Sequence, residues 1–263
     1  MSRPSSFGFN YLQNIKNSIR EKRASKQRDR RRFFQEFNGN PLEKRQLLAT
    51  YVVDDFSDAL AGSGSNGTLR WAIQQANTNA GDDIINFSGT WPETITLTAA
   101  NGPISSNDTS GGNLTINGPG QANLTISGGN VTGIFNIESN TTIENLSIKY
   151  GIRTGITDIG GAIFSKNTNL TINNSTLADN NSNDFGAAVF NCATGSNNTY
   201  LAINNSTLAN NTVPKDGGAV FIQASTYGTA ILLISNSTLA NNTASWSGGA
   251  VYSQSGGGAS SNA

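Results

Sequence analysis

Apolar residues in the second half of the chain recur two apart, inside a phrase that itself recurs. Ile203-Asn204-Asn205-Ser206-Thr207-Leu208-Ala209-Asn210-Asn211 has near copies at 172–180 and 234–242, and a looser one from Ile143. The leading isoleucines stand 29, 31 and 31 residues apart. A second phrase keeps step: Gly160-Gly161-Ala162-Ile163-Phe164 returns from Gly186, Gly217 and Gly248, its alanines 26, 31 and 31 apart. Two phrases on one period define a repeated structural unit.

The unit reads as strands. Leu114-Thr115-Ile116, Leu124-Thr125-Ile126, Leu170-Thr171-Ile172, Leu201-Ala202-Ile203 and Leu232-Leu233-Ile234 place apolar side chains at i and i+2, on one face of an extended chain. Each later repeat holds three such runs: φ-x-Ile, Ser-Thr-Leu-Ala and Gly-Gly-Ala-Val-Phe. Asn-Asn, Gly-Gly and Ser segments separate them, and these residues make turns. Three strands in each coil, repeated in step, predict a parallel β-helix whose coils pair at about 4.8 Å and stack equivalent residues. The expected interior stacks are Ile143/Ile172/Ile203/Ile234, Ile148/Leu177/Leu208/Leu239 and Phe164/Phe190/Phe221/Tyr252. Ala162, Ala188, Ala219 and Ala250 form a small-residue stack. Asn145, Asn174, Asn205 and Asn236, and likewise Asn180, Asn211 and Asn242, share repeat positions, where stacked amides form ladders and tolerate left-handed turns.

The period changes near the N-terminus. Leu69, Ala72, Ile73 and Ala76 follow helical spacing, with Thr68 as N-cap and Asn77 to Gly81 as a stop, so a helix is expected over 68–77. Short strands are expected at 51–53, 83–87 and 94–97. The domain plan is a basic tail over 1–49, a cap over 50–100, β-helix repeats over 101–254 and a flexible tail over 255–263. No closing segment follows the last repeat, which reads either as a fragment of a longer family or as a fraying last coil.

Charge separates tail from body. Residues 1–50 carry 12 Lys/Arg against 4 Asp/Glu, net +8, and residues 51–263 carry 5 against 13, net −8. A nucleic-acid or anionic-surface arm is the sharper reading of the tail. A disordered or weakly helical export or processing segment is the expected one, because no base-stacking aromatic pattern accompanies the charges. Apolar residues make up 36% of the chain, thin for a compact globule and sufficient for a narrow solenoid core. With Cys192 the sole cysteine and no histidine, an internal disulfide is excluded and the commonest general base is missing. No apolar run approaches the ~18 residues of a membrane span.

Three resemblances add to this. Leu42-Glu43-Lys44-Arg45-Gln46-Leu47-Leu48 resembles the LEPR-x-LL motif near the N-terminus of many large bacterial surface and secreted proteins, which implies export. The helix phrase Gly67-Thr68-Leu69-Arg70-Trp71-Ala72-Ile73, followed by Asp83-Ile84-Ile85-Asn86-Phe87, resembles the start of pectin-lyase-like domains. That resemblance implies an all-β, right-handed parallel β-helix with an N-terminal capping helix. Leu239-Ala240-Asn241-Asn242 with Gly160-Gly161-Ala162-Ile163 and its copies resembles the repeats of the polymorphic outer membrane proteins, over roughly 130–254.

Candidate chemistry is sparse. Lyases of this shape hold Ca²⁺ with acidic clusters and abstract a proton with a basic group, and hydrolases converge carboxylates on one bond. The candidates are Arg153, Asp184 and Asp216, with Lys149, Asp158 and Asp179 behind them. Asp54-Asp55 and Asp82-Asp83 read as solvated turns, with weak cation binding as the alternative, and no cofactor is expected, Ca²⁺ being the alternative there. The expected role is a secreted, cell-surface or outer-membrane β-helix that is structural, adhesive or glycan-binding rather than enzymatic. A polysaccharide lyase, then a hydrolase, is the alternative. Surface glycans or envelope proteins are the expected partners, nucleic acid is not, and a monomer is expected.

Overall fold

The computed structural model describes residues 20–23, 25–28, 48–154 and 159–256. The chain divides into Met1–Arg45 and Gln46–Ala263. In the first unit the described residues are helical and exposed. The remainder of the basic tail, most of the Leu42 to Leu48 motif, Asp158 and 257–263 lie outside the described residues.

The second unit is a β-solenoid of about 7 turns. Its strands gather into four sheets along the axis. The first contains Asp83–Phe87, Leu114–Asn117, Thr141–Glu144, Asn169–Asn173, Asn198–Asn204 and Thr229–Ser235, all parallel, and continues at its N-terminal end into Ala49–Asp55. The second runs from Glu93–Thr96 to Thr238–Ala240, and the third from Ile104–Ser106 to Val251–Ser255. A fourth, of two-residue strands from Ile152–Arg153 to Thr243–Ala244, joins the expected three in the later coils. There the chain runs straight for two residues after the Asn180, Asn211 and Asn242 bend before turning again.

Register explains the core. Ile85, Ile116, Ile143, Ile172, Ile203 and Ile234 are consecutive partners across the first sheet. Ile95, Ile126, Ile148, Leu177, Leu208 and Leu239 are partners across the second. The first five of each column are fully buried. Each side chain taken wholly from water contributes about 1.5–3 kcal/mol, so even a narrow interior accumulates a continuous core.

The aromatic stack lies elsewhere than the sequence suggests. Ile163, Val189, Val220 and Val251 fill the interior position, while Phe190 and Phe221 belong to a separate outer cluster against which Phe164, Phe185 and Tyr252 pack. Ala188 and Val189 are both fully buried: at the bend before the strand, two consecutive residues face inward, and the alternation restarts with Phe outward. The outer rings still stack coil on coil, with centroids 6.0 Å apart for Phe164–Phe190 and 5.2 Å for Phe190–Phe221.

The helix α1, Leu69–Ala76, covers the N-terminal end. Thr68 caps it by accepting from the Trp71 N–H at 3.2 Å, and Leu69, Ala72, Ile73 and Ala76 are its buried face. Asn77, just past the helix, also closes a sheet edge. Its Nδ2 donates to Ser105 O at 2.8 Å and its Oδ1 accepts from the Asn107 N–H at 2.9 Å.

Candidate functional site

The repeated phrase builds a corner of the coil, and its asparagines do three different jobs. Asn204 ends the Asn198–Asn204 strand, its side chain donating to Asn173 Oδ1 at 3.0 Å and accepting from Ser235 Oγ at 2.7 Å. Asn205 turns the chain in the left-handed region (φ 51°), as Asn145 (59°), Asn174 (46°) and Asn236 (48°) do. Ser206 locks that turn, its hydroxyl donating to Asn204 O at 2.7 Å and accepting the Ser175 N–H at 3.2 Å. Asn210 makes the second left-handed turn (φ 57°) and donates to Asp179 Oδ1 at 3.1 Å.

Asn211 is fully buried. Its Nδ2 donates to Leu177 O at 3.0 Å and to Asn242 Oδ1 at 2.9 Å, and its Oδ1 accepts from Asn180 Nδ2 at 3.0 Å and the Asn180 N–H at 3.2 Å. The interior amide ladder is therefore Asn180/Asn211/Asn242. The Asn145 series supplies turns, although the Asn145 amide also donates to Asn117 Oδ1 at 2.9 Å.

Among the described residues no hydrogen bond or ion pair joins one candidate catalytic group to another. Arg153 donates to Gly160 O at 2.8 Å, Phe135 O at 3.1 Å and Asn136 Oδ1 at 2.7 Å, tying neighbouring turns together. Register with Val189, Val220 and Val251 aligns Asp184 with Lys215 and Trp246, and Phe185 with Asp216 and Ser247. Asp184 accordingly meets Lys215 in an ion pair, not Asp216. Lys149 lies half-buried on the second sheet, and Asp179 occupies a turn.

What gathers in that loop is an aromatic and charged column in place of paired carboxylates. Lys215 Nζ lies 5.1 Å from the Phe185 ring centroid and 5.8 Å from that of Trp246. Phe185 packs on Phe221 with centroids 4.6 Å apart, and the Trp246 backbone N–H donates to Lys215 O at 3.0 Å. Trp246 is 69% exposed. The signal was available: Asp184, Lys215 and Trp246 share a repeat position and differ in every copy.

A second feature lies at the capping helix. Asp58 is buried and bonds Arg70 through Oδ1 (2.7 and 3.0 Å), while its Oδ2 accepts from Thr98 N and Oγ1, both at 2.8 Å. Burial pushes the Asp58 carboxyl up, but the bonds from Arg70 and Thr98 with the Arg70 charge outweigh it and hold it below its ordinary value. Asp83 is displaced the other way: burial raises it, the Asp108 and Asp82 charges add to that, and bonds from Asn79 and Ala49 offset only part. A cleft of about 460 Å³ opens beside the helix between Leu60, Gln74, Asn77 and Ser105. Burial pushes the Cys192 thiol up to about 11, with Lys166 opposing and Glu138 assisting.

The acidic pairs near the cap accept hydrogen bonds from protein donors, one of them on the next coil. Asp82 Oδ1 accepts from Asn113 N and Nδ2, both at 2.9 Å; Asp54 Oδ2 accepts from Asn66 Nδ2 at 3.1 Å, and Asp55 Oδ1 from the Ser57 N–H at 2.9 Å. Among the described residues no three His, Cys, Asp or Glu side chains are grouped to hold a metal, and no helix is long and apolar enough to cross a membrane. Comparison with known proteins finds no matching family model, curated protein or solved structure.

Proposed function

We propose that this chain is an exported or cell-surface β-helix whose role is structural or adhesive, presenting a regular lateral face to glycans or envelope proteins. The observation that supports this reading best is the continuous register. The isoleucine column, the leucine column and the asparagine ladder pass from coil to coil, and two of the candidate catalytic groups are held in contacts between neighbouring turns. Arg153 holds backbone carbonyls and Asp184 holds Lys215. An adhesive rod needs this: stiffness along the axis, with variation confined to loops.

The repeat phrases and the Leu42 to Leu48 motif support an affinity with polymorphic outer membrane protein-type repeats and pectin-lyase-like solenoids, and residues 1–49 then serve export or processing. Fractionation of the native host, with protease shaving of intact cells, tests this. Recovery in the envelope or medium and removal by protease are expected; confinement to the cytosol would defeat it. With uronic-acid polymers and Ca²⁺, the ultraviolet absorbance should not rise, whereas a rise would restore the lyase alternative.

A further inference from the structure

We propose that Trp246, seated on Lys215, is a stacking platform for a neutral sugar ring; this rests on the surface reading and names a site and ligand class for it. The other two tryptophans, Trp71 and Trp91, pack against the core, whereas Trp246 is 69% exposed. An indole projecting freely would lose much of its stacking energy to ordering. This one is held. Its backbone N–H is bonded to Lys215 O on the coil below, Lys215 Nζ lies at the ring face, and Asp184 fixes that ammonium. Lys215 also lies at the face of Phe185, which packs on the buried Phe221. A line of contacts thus runs from the outer aromatic stack to the exposed ring.

The surroundings select the ligand. A large flat apolar face suits the C–H face of a pyranose, which meets the electron-rich ring with polarised hydrogens. Asp184, Lys215, Asp216, Ser245 and Ser247 lie on the same and adjoining loop positions and supply donors and acceptors for hydroxyl groups. An apolar peptide would meet a charged rim. A polyanion would meet a body of net −8 over 51–263, and a lysine already neutralised by Asp184; like charge opposes its approach. A neutral glycan meets neither obstacle.

Native affinity electrophoresis of the full chain tests this, in gels containing hydroxyethylcellulose, galactomannan or polygalacturonate. Retardation is expected in at least one neutral gel and not in polygalacturonate. Trp246→Ala should weaken it by about tenfold or more, the scale of ~1.4 kcal/mol, with an unchanged far-ultraviolet circular dichroism spectrum. Lys215→Met, which frees the indole while keeping the stem, should weaken it less. Tyr227→Ala, at another exposed aromatic (83%), should retain binding. No retardation in either neutral gel, equal retardation of Trp246→Ala, equal loss in Tyr227→Ala, or preference for polygalacturonate would overturn the proposal. Surface location without neutral-glycan binding would sink the platform alone; binding by a protein confined to the cytosol would sink the surface reading and leave the platform standing.

Discussion

Adjacent identical residues in the repeat carry different loads, which makes Asn210 and Asn211 a sharp comparison. Asn210 is exposed in the left-handed region, where glycine has no steric cost, so Asn210→Gly should change stability by less than about 1 kcal/mol. Asn211→Gly or Asn211→Ala strips the buried amide from Leu177 O and the Asn180 N–H. Stranding such groups costs about 1–3 kcal/mol each, so a loss of roughly 3 kcal/mol in denaturant titration is expected. Equal effects at the two positions would contradict the assignment. The sequence treats them alike because both satisfy the asparagine preference of tight turns; only the direction of each side chain, inward or outward, separates them. The same ambiguity of direction misplaced Phe190 and Phe221, since strand alternation cannot be counted through a bend where Ala188 and Val189 both point inward. Cys192 is a further residue-scale consequence. Buried at 5% exposure with its thiol pushed up to about 11, it should react far more slowly with a thiol reagent in the folded protein than in denaturant, since the thiolate is the nucleophile. Equal rates would place it at an open surface.

At the scale of elements, the N-terminal cap joins one helix to a set of polar contacts, and two of its carboxyls pull stability in opposite directions with pH. Asp58 has its folded pKa below its unfolded value. Its stabilisation is therefore complete above the unfolded pKa and disappears as pH falls through the folded one. Asp83 has its folded pKa above the unfolded value, so its ionised form is disfavoured and its cost is complete above the folded pKa. Asp58→Asn, which leaves the partly buried Arg70 without its charge partner, should destabilise the cap by about 3 kcal/mol at neutral pH and flatten the acid limb. Asp83→Asn keeps an oxygen for Asn79 and Ala49 and should be neutral to mildly stabilising at neutral pH. Thermal melts of both variants followed at neutral and acid pH by tryptophan fluorescence would check this, since Trp71 packs edge-on to Tyr51 at 5.9 Å beside the helix. Shifts of the same sign at neutral pH would refute it. The helix itself was legible from its apolar spacing and its threonine cap. Asp58 was not, because it belongs to no repeat and its partners Arg70 and Thr98 are 12 and 40 residues away.

The whole molecule was legible because the sequence measures its own coil: a phrase returning after 31 residues states the circumference, and the isoleucine spacing states which face is inside. That arithmetic can be tested by removal. Excising 203–233 joins Ala202 to Ile234, returning the chain to the same point of the coil, so the inner columns close over one missing layer. In a solenoid each coil contacts its neighbours, and stability is close to a sum over coils and their interfaces. The excised protein should still unfold cooperatively, with a denaturant slope lower by about one part in seven, matching about 7 turns, because that slope tracks the surface exposed. Removing 203–217 instead joins the Ile phrase to the Gly-Gly-Ala phrase half a coil out of step. Gly218 would then fall at the interior position of Ile203 and Ile234 at that of Ala219, and no folded baseline is expected. If both deletions folded equally well, periodic register could not be what specifies the structure. Function follows the same division: the two columns hold isoleucine or leucine from coil to coil, whereas Asp184, Lys215 and Trp246 differ at one repeat position with the register unchanged. Selection for a ligand is free to act in that loop, and the one exposed indole of the later coils stands there.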